Sequence, residues 1–478
     1  MADELVRKNA RELGALIRSR EVSSMEVVEA FVTRAEALNG TLNAFITITA
    51  EHARTRAREV DAEIRGGRYR GPLHGIPYAA KDVLATRGIR TTNGSKVTAG
   101  WIPDHESTIT QRLNDAGAVL IGKLNLREFA TGSGVLSGFG TVHNPWAVGY
   151  SPAGSSSGSG AAVAARMAPL TIGTDTGGSI RGPAAVCGIV GLKPTYGRVS
   201  LYGVTTLSWS LDHAGPMTAT VDDAALMLQT ISGRDPKDPG SAPEPVPDYA
   251  AALGQGLTGL RIGLPRRHFT EGAHPDVEAA FQGALRLLEN LGARVVTVDI
   301  PHADLAPPAG GLIAMAEAAA FHEKRLHDSP ELFDPLVRER LLTARFYPAI
   351  DYIKAQRLRT ILQNEVTHAF ASCDAITVPA YPGLPSRLET PERARTDVPS
   401  TDEPAASRAS NSYIANMTGV PALVLPCGFS SAAPALPIAM QLYGRLFDEP
   451  MLFRVGHAYQ QATDWHKRYP PIGEAGAR

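Results

Sequence analysis

The chain has 478 residues, 44% of them hydrophobic and 20% charged, with a formal net charge of -1. That balance builds a sizeable globular core and supplies no global field to draw in nucleic acid or an anionic membrane. Three cysteines, Cys187, Cys373 and Cys427, lie far apart with no Cys-x-x-Cys spacing, which argues against a disulfide framework or a zinc site and for a reducing compartment. No apolar run reaches the roughly 18 residues of a membrane-spanning helix. The charge-alternating N-terminus (Asp3, Glu4, Arg7, Lys8, Arg11, Glu12) has no signal-peptide core. The expectation is a soluble, cytoplasmic protein with no membrane contact.

Residues 3–38 read as two helices. Leu13 and Ile17 share a face of the first. The second opens at a capping box, Ser23-Ser24-Met25-Glu26, in which serine and glutamate satisfy each other's backbone donors. Val27, Val28, Phe31, Val32, Ala35 and Leu38 follow at helical spacing. A charged helix over Glu51–Ile64 stops at Gly66-Gly67. Gly75 to Leu84 reads as a buried strand, and it carries Lys81, a residue type almost never fully buried without a reason. The plain alternative is that Lys81 snorkels outward or pairs with Asp82. A short helix, Ser107–Ala116, is closed by Gly117 and leads into a strand, Ala118–Ile121; Lys123 at its end rivals Lys81 as a base. Residues 131–150 are glycine-rich, hold Phe139, Trp146 and Tyr150, and suit a loop that lines a pocket or covers a core edge.

Beyond a central stretch at Tyr150–Arg198, Val186–Val190 is apolar and Asp222–Ile231 reads as a helix. Pro236, Pro239, Pro243, Pro245 and Pro247 mark a loop. A strand (Leu260–Leu264), a helix (Pro275–Leu291) and a strand (Val295–Val298) make a β-α-β pattern. Residues 311–370 read as mainly helical, Asp374–Pro379 as a strand and 380–406 as a proline-rich, charged surface loop. A helix at Ser407–Met417, strands at Val420–Leu425 and Ile438–Leu442 and a helix at Glu449–Ala462 complete the chain. The alternation predicts an α/β architecture, with no internal repeat.

The central stretch combines a serine-glycine tract, Ser151 to Gly160, with a small-residue helix candidate over Ala161–Met167 and then Gly173-Thr174-Asp175-Thr176-Gly177-Gly178-Ser179-Ile180-Arg181. Its apolar framing is unlike a flexible linker and suits a buried loop system. A serine attacks only when a base takes its proton. Gly154-Ser155-Ser156-Ser157-Gly158 meets the G-x-S-x-G elbow pattern, but Pro152 makes the preceding residues a poor strand. No lysine has a serine three residues before it, so an S-x-x-K site is absent. A serine and a lysine far apart, bridged by another hydroxyl, remain: Ser179, Ser155 and Lys81 are of the right types.

These motifs, with Gly75-Ile76-Pro77, Lys81-Asp82, Gly188-Ile189-Val190-Gly191-Leu192-Lys193-Pro194-Thr195, Asn416, Gly419-Val420-Pro421-Ala422, Pro426-Cys427-Gly428 and Gln441-Leu442, resemble the amidase signature family over nearly the whole chain. The resemblance implies a single α/β/α domain over 1–478, with a helical segment at 1–68 and a large mixed twisted central sheet surrounded by helices. It implies Ser179 as nucleophile, Ser155 as bridging serine after a cis Gly154-Ser155 bond, and Lys81 as general base, the three within hydrogen-bond reach. It implies no metal and no organic cofactor. Burial against Ile76, Tyr78 and Val83 would keep Lys81 neutral. The backbone N–H groups of Thr176, Gly177, Gly178 and Ser179 can form an oxyanion hole. Asp175 and Arg181 read as a structural ion pair. Ser156, Ser157 and Ser159 read as turn or cap residues, with Ser156 placed to orient Lys81. Lys123 and Lys193 match non-catalytic positions, Cys187 and Cys427 read as core, and the histidines receive no role.

For substrate, Thr131, Gly132, Ser133 and Gly134, in the stretch 131–136, are expected to line the acyl or leaving-group pocket. With Phe139, Trp146, Leu207 and Trp209 nearby in sequence, a small apolar or aromatic amide is expected, with carbamates or esters possible in the family. The expected partner is that substrate alone, with no nucleic acid, on a monomer or homodimer. The alternative is the family's glutaminase subunit of an aminoacyl-tRNA amidotransferase. That subunit uses an arginine, whose neighbourhood Arg359 matches, and an acidic residue before Asn416, where Ala406–Ser412 hold no carboxylate. A different class, a non-catalytic scaffold whose glycine-rich loop binds an anion, predicts that Ser179→Ala changes nothing.

Overall fold

The computed structural model describes residues 2–131, 137–388 and 411–472. Among these, eleven strands form one mixed sheet: β1 (Phe45–Ile48), β2 (Pro77–Lys81), β3 (Val119–Leu124), β4 (Leu170–Asp175), β5 (Val190–Lys193), β6 (His213–Thr218), β7 (Arg261–Pro265), β8 (Arg294–Val298), β9 (Ala375–Pro379), β10 (Ala422–Phe429) and β11 (Pro437–Tyr443). Their order is β1-β3-β2-β4-β6-β5-β10-β11-β9-β7-β8. Parallel pairs centre on β2, flanked by β3 and β4, and on β7, flanked by β8 and β9. The remaining pairs are antiparallel.

The flanking helices are α1 (Ala2–Leu5), α2 (Ala10–Ser19), α3 (Ser24–Leu42), α4 (Ala50–Arg65), α5 (Thr108–Asp115), α6 (Ser157–Ala164), α7 (Arg181–Cys187), α8 (Val221–Ile231), α9 (Pro275–Asn290), α10 (Ala306–Asp328), α11 (Pro335–Ala344), α12 (Ala349–Ala369), α13 (Tyr413–Thr418) and α14 (Glu449–Gln461). Successive strand residues face opposite ways, and β10 shows both faces covered. Leu423 packs with Leu228, Leu452 and Val455 of α8 and α14. Its neighbour Val424 packs with Val163, Ile180 and Ala184 around α6 and α7. The result is a three-layer α/β/α fold. No described helix is long and apolar enough to cross a membrane.

Local rules place many elements. The capping box at the start of α3 is present in both directions: Ser23 Oγ accepts from Glu26 N at 3.1 Å and Ser23 N donates to Glu26 Oε2 at 2.8 Å. Asn9 and Glu12 form a second one on α2. Other elements escaped the sequence patterns. β1 is a four-residue edge strand. β6 contains Gly215-Pro216 yet lies inside the sheet, because β5 pairs with it only at Met217 and Thr218 and Pro216 stands where that ladder has ended. The apolar run Val186–Val190 is divided: α7 ends at Gly188, which is left-handed with φ 68°, and β5 begins two residues later. Residues 407–410 of the helix expected from Ser407, and 389–406 of the expected surface loop, lie outside the described residues. A small apolar cluster of Phe129, Leu207, Ala318, Leu326, Phe333, Val337 and Leu341 seats α10 and α11 beside the central loops.

Candidate active site

Lys81 ends β2, which has β3 on one side and β4 on the other, and is completely buried. Its Nζ lies 2.7 Å from Ser155 Oγ, 2.9 Å from Ser156 Oγ and 2.7 Å from Thr174 Oγ1. Neither the snorkelling reading nor a pairing with Asp82 holds. Asp82 instead forms a buried ion pair with Lys123, 3.0 Å apart, which removes Lys123 as a base. Burial lowers the Lys81 pKa to about 7, with Arg127 adding to the effect and Asp175 and Asp212 opposing it. Ser156 donates its hydroxyl hydrogen to Thr174 O at 3.1 Å and so accepts from Lys81. Ser155 and Thr174 are left as the hydroxyls able to give a proton to a neutral Lys81 amine. Thr174 was not singled out in the sequence, although it adjoins Asp175 in the same motif.

Ser155 follows a cis peptide bond from Gly154. The segment before it is not a strand, so the nucleophile-elbow geometry is absent. Ser159 Oγ donates to Ile172 O at 3.1 Å and has a packing role.

The Ser179 loop is fixed by a carboxylate at each half. Asp175 accepts from Gly178 N at 2.9 Å, Ile180 N at 3.0 Å, and Arg181 Nη2 and Nε at 2.9 and 3.1 Å. Arg181 also donates to Asn416 Oδ1, Gln441 Oε1 and Ser412 O. Burial opposes ionisation of Asp175, but Arg181 and Asn416 outweigh it and hold the carboxyl far below the usual carboxylate range. At the other half, Thr176 Oγ1 donates to Asp212 Oδ1 at 2.5 Å. The oxyanion expectation is therefore corrected for Gly178: its amide is given to Asp175, and its φ of 115° makes its contribution a backbone turn. The amides of Gly177 and Ser179 donate to no described backbone or side-chain acceptor. Gly177 has no room for a side chain, since a Cβ there would lie 2.5 Å from Tyr413 Cζ. Gly177→Ala is expected to displace the loop and lower kcat by about 100-fold with little change in thermal unfolding; steady-state kinetics beside a melting curve checks it.

Ser155, Thr176, Gly177 and Ser179 line one cavity of about 850 Å³. Ser155 and Ser179 are brought to the same wall, but the hydrogen bond expected between them is absent. Ser179 Oγ bonds to no described residue. The other walls are Leu207, Pro307, Pro308, Leu312, Met315, Tyr347 and Tyr413, with Thr131, Arg127 and Arg340. Thr131 is thus on the lining, while Gly132, Ser133 and Gly134 lie outside the described residues. The expected aromatic lining is corrected. Trp146 is buried and donates to Cys187 O at 2.8 Å. Phe139 lies under Lys96, and Trp209 borders a separate cavity of about 420 Å³. Arg359 is corrected too: it donates to Met417 O at 2.8 Å and Ser210 O at 2.9 Å and is not on the wall. Arg340, one of many charged residues in a helical stretch, gave no signal in the sequence.

A family model described as Amidase matches residues 26–453. One subunit of the glutamyl-tRNA(Gln) amidotransferase of Roseiflexus castenholzii (strain DSM 13941 / HLO8) is 42% identical, covering 99% of each chain. Among solved structures, a chain reported in connection with a vestigial protein complex and the evolutionary origins of an s-triazine catabolic enzyme superposes with TM-score 0.89. It is 32% identical and covers 95% of this chain and 98% of that one. The peptide amidase of Stenotrophomonas maltophilia gives TM-score 0.83 at 32% identity, covering 98% and 99%. The expectation of a small amide as sole partner, without nucleic acid, on a monomer or homodimer is overturned: a relative matched end to end is named as one subunit of an enzyme named for a tRNA. Composition could not reveal this, because a subunit interface and a local tRNA contact require no net charge.

Proposed function

The chain belongs to the amidase signature family and is an amidohydrolase of C–N bonds; on that premise we propose that Ser179, Ser155 and Lys81 carry the reaction and that the acyl group is that of glutamine. Ser179 Oγ attacks the amide carbon while its proton passes to Ser155 and the Ser155 proton to neutral Lys81. The C–O bond forms as the carbonyl π pair moves to oxygen, where the Gly177 and Ser179 amides receive it. The Lys81 proton returns through Ser155 to the amide nitrogen, the C–N bond breaks and ammonia leaves. Water then adds to the acyl-enzyme by the same relay in reverse and frees Ser179 and the acid. The buried Lys81–Ser155 contact of 2.7 Å, in the wall shared with Ser179, carries the proposal.

The glutamine assignment rests on two guanidinium groups, Arg127 and Arg340, on the cavity wall, which suit a substrate carboxylate, and on the likeness to the amidotransferase relative. The ammonia would then serve a charged tRNA held by a second subunit. A second reading, hydrolysis of aryl or alkyl amides, is favoured by the largely apolar lining and by the lack of a carboxylate in Ala406–Ser412. Ammonia release from L-glutamine and from benzamide by the purified chain separates them. Arg340→Gln is expected to raise KM for glutamine by roughly 100-fold, the loss of a charge-assisted pair, and to leave benzamide unaffected. Turnover of benzamide but not glutamine sinks the glutamine assignment.

A further inference from the structure

We infer that Asp212 is a positioning residue of the reaction, holding the nucleophile loop through Thr176; this rests on the catalytic roles proposed above. Asp212 lies just before β6. Its Oδ1 accepts from Thr176 Oγ1 at 2.5 Å, and its Oδ2 accepts from Leu207 N at 2.9 Å and Ser208 N at 3.0 Å. Thr176 and Leu207 both line the cavity that holds Ser179. One buried carboxylate therefore ties the start of the nucleophile loop to a second wall of the substrate site. Its counterpart Asp175 has Arg181 as a close cation. Among the described residues Asp212 has none within ion-pair distance, and its charge favours the ammonium form of Lys81.

The surroundings sharpen this. Burial raises Asp212 to about 6, against the hydrogen bonds from Thr176, Leu207 and Ser208, and Glu317 raises it further. Glu317 of α10 is linked to it through Ser208, whose Oγ donates to Glu317 Oε2 at 2.6 Å. Glu317 is otherwise held by Ser210 and Tyr352. Tyr196, Lys237 and Asp238 share with Asp212 the 420 Å³ cavity, His213 is its chain neighbour, and Lys81 stands on β2. Asn at 212 can still accept from Thr176, but it removes the charge and cannot accept both backbone amides.

The test is the labelling rate of Ser179 by a fluorophosphonate, followed from about pH 5 to about pH 10 across the lysine transition, in the full-length wild type and in Asp212→Asn, Thr176→Val and Thr176→Ser. Thr176→Val is expected to slow labelling at least about tenfold with its acid limb unmoved, and Thr176→Ser to restore the rate. Asp212→Asn is expected to slow labelling similarly, because the amide cannot hold Thr176 and both backbone amides as the carboxylate does. A wild-type rate in Thr176→Val or in Asp212→Asn overturns the inference. If Asp212→Asn does not fold, the two Thr176 variants decide whether the clasp serves catalysis. No labelling of Ser179 in the wild type would instead overturn the catalytic roles themselves.

Discussion

Ser179→Ala is expected to lower kcat by roughly 10⁴- to 10⁶-fold, the scale on which loss of a serine nucleophile is felt, with the melting temperature unchanged. Stability is spared because Ser179 Oγ makes no hydrogen bond to a described residue, so nothing buried is left without a partner. Lys81→Ala should lose nearly as much activity. Ser155→Ala should lose less, since a water in the vacated space can pass the proton. The pH profile is part of the same result. With Lys81 lowered to about 7 by burial, the ammonium below that value has no lone pair to accept with. Log kcat/KM should therefore fall by about one per pH unit on the acid side and level off above it. Single-turnover kinetics with circular dichroism checks both parts. A Ser179→Ala protein with wild-type turnover would mean that Ser179 is not the nucleophile.

Asp175→Ala is expected to destabilise the fold by about 3–5 kcal/mol, the cost of leaving a buried charge without its partner. The guanidinium of Arg181 is 2% exposed and would keep only neutral acceptors, Asn416, Gln441 and the Ser412 carbonyl. The same change frees Gly178 N and Ile180 N, so the Ser179 loop should lose its shape and activity should fall with stability. Asp175→Ala combined with Arg181→Met removes the stranded charge and should recover part of the stability without the activity. Urea midpoints of the single and double variants measure this. A single variant as stable as the wild type would mean that the pair does not fix the loop.

The chemistry was legible where one short segment supplies several roles. The Gly173–Arg181 motif holds the loop, the proposed nucleophile and the ion pair within a few residues, and the resemblance of the motifs to a known family pointed to Lys81 far upstream. The capping box at Ser23 and the β7-α9-β8 unit were readable for the same local reason, since each depends on spacing within a few residues. The other contacts of the proposed relay were not. Thr174 and Asp212 meet Lys81 and Thr176 only because β2, β4 and β6 lie side by side in the sheet, which no periodicity encodes.

The cavity shows the boundary most sharply. The resemblance of the motifs to a known family was enough to point to an amidase and to name Ser179, Ser155 and Lys81 as its candidate residues. Which side chains line the cavity was decided by packing. Trp146, Phe139 and Trp209 are close to the motifs in sequence yet turn to other partners, whereas Arg340 comes from α11, which is seated beside the loop by Phe333, Val337 and Leu341. Neighbours along the chain share local geometry, but a pocket is made by elements that meet across the fold, and apolar packing sets that meeting without leaving a local pattern.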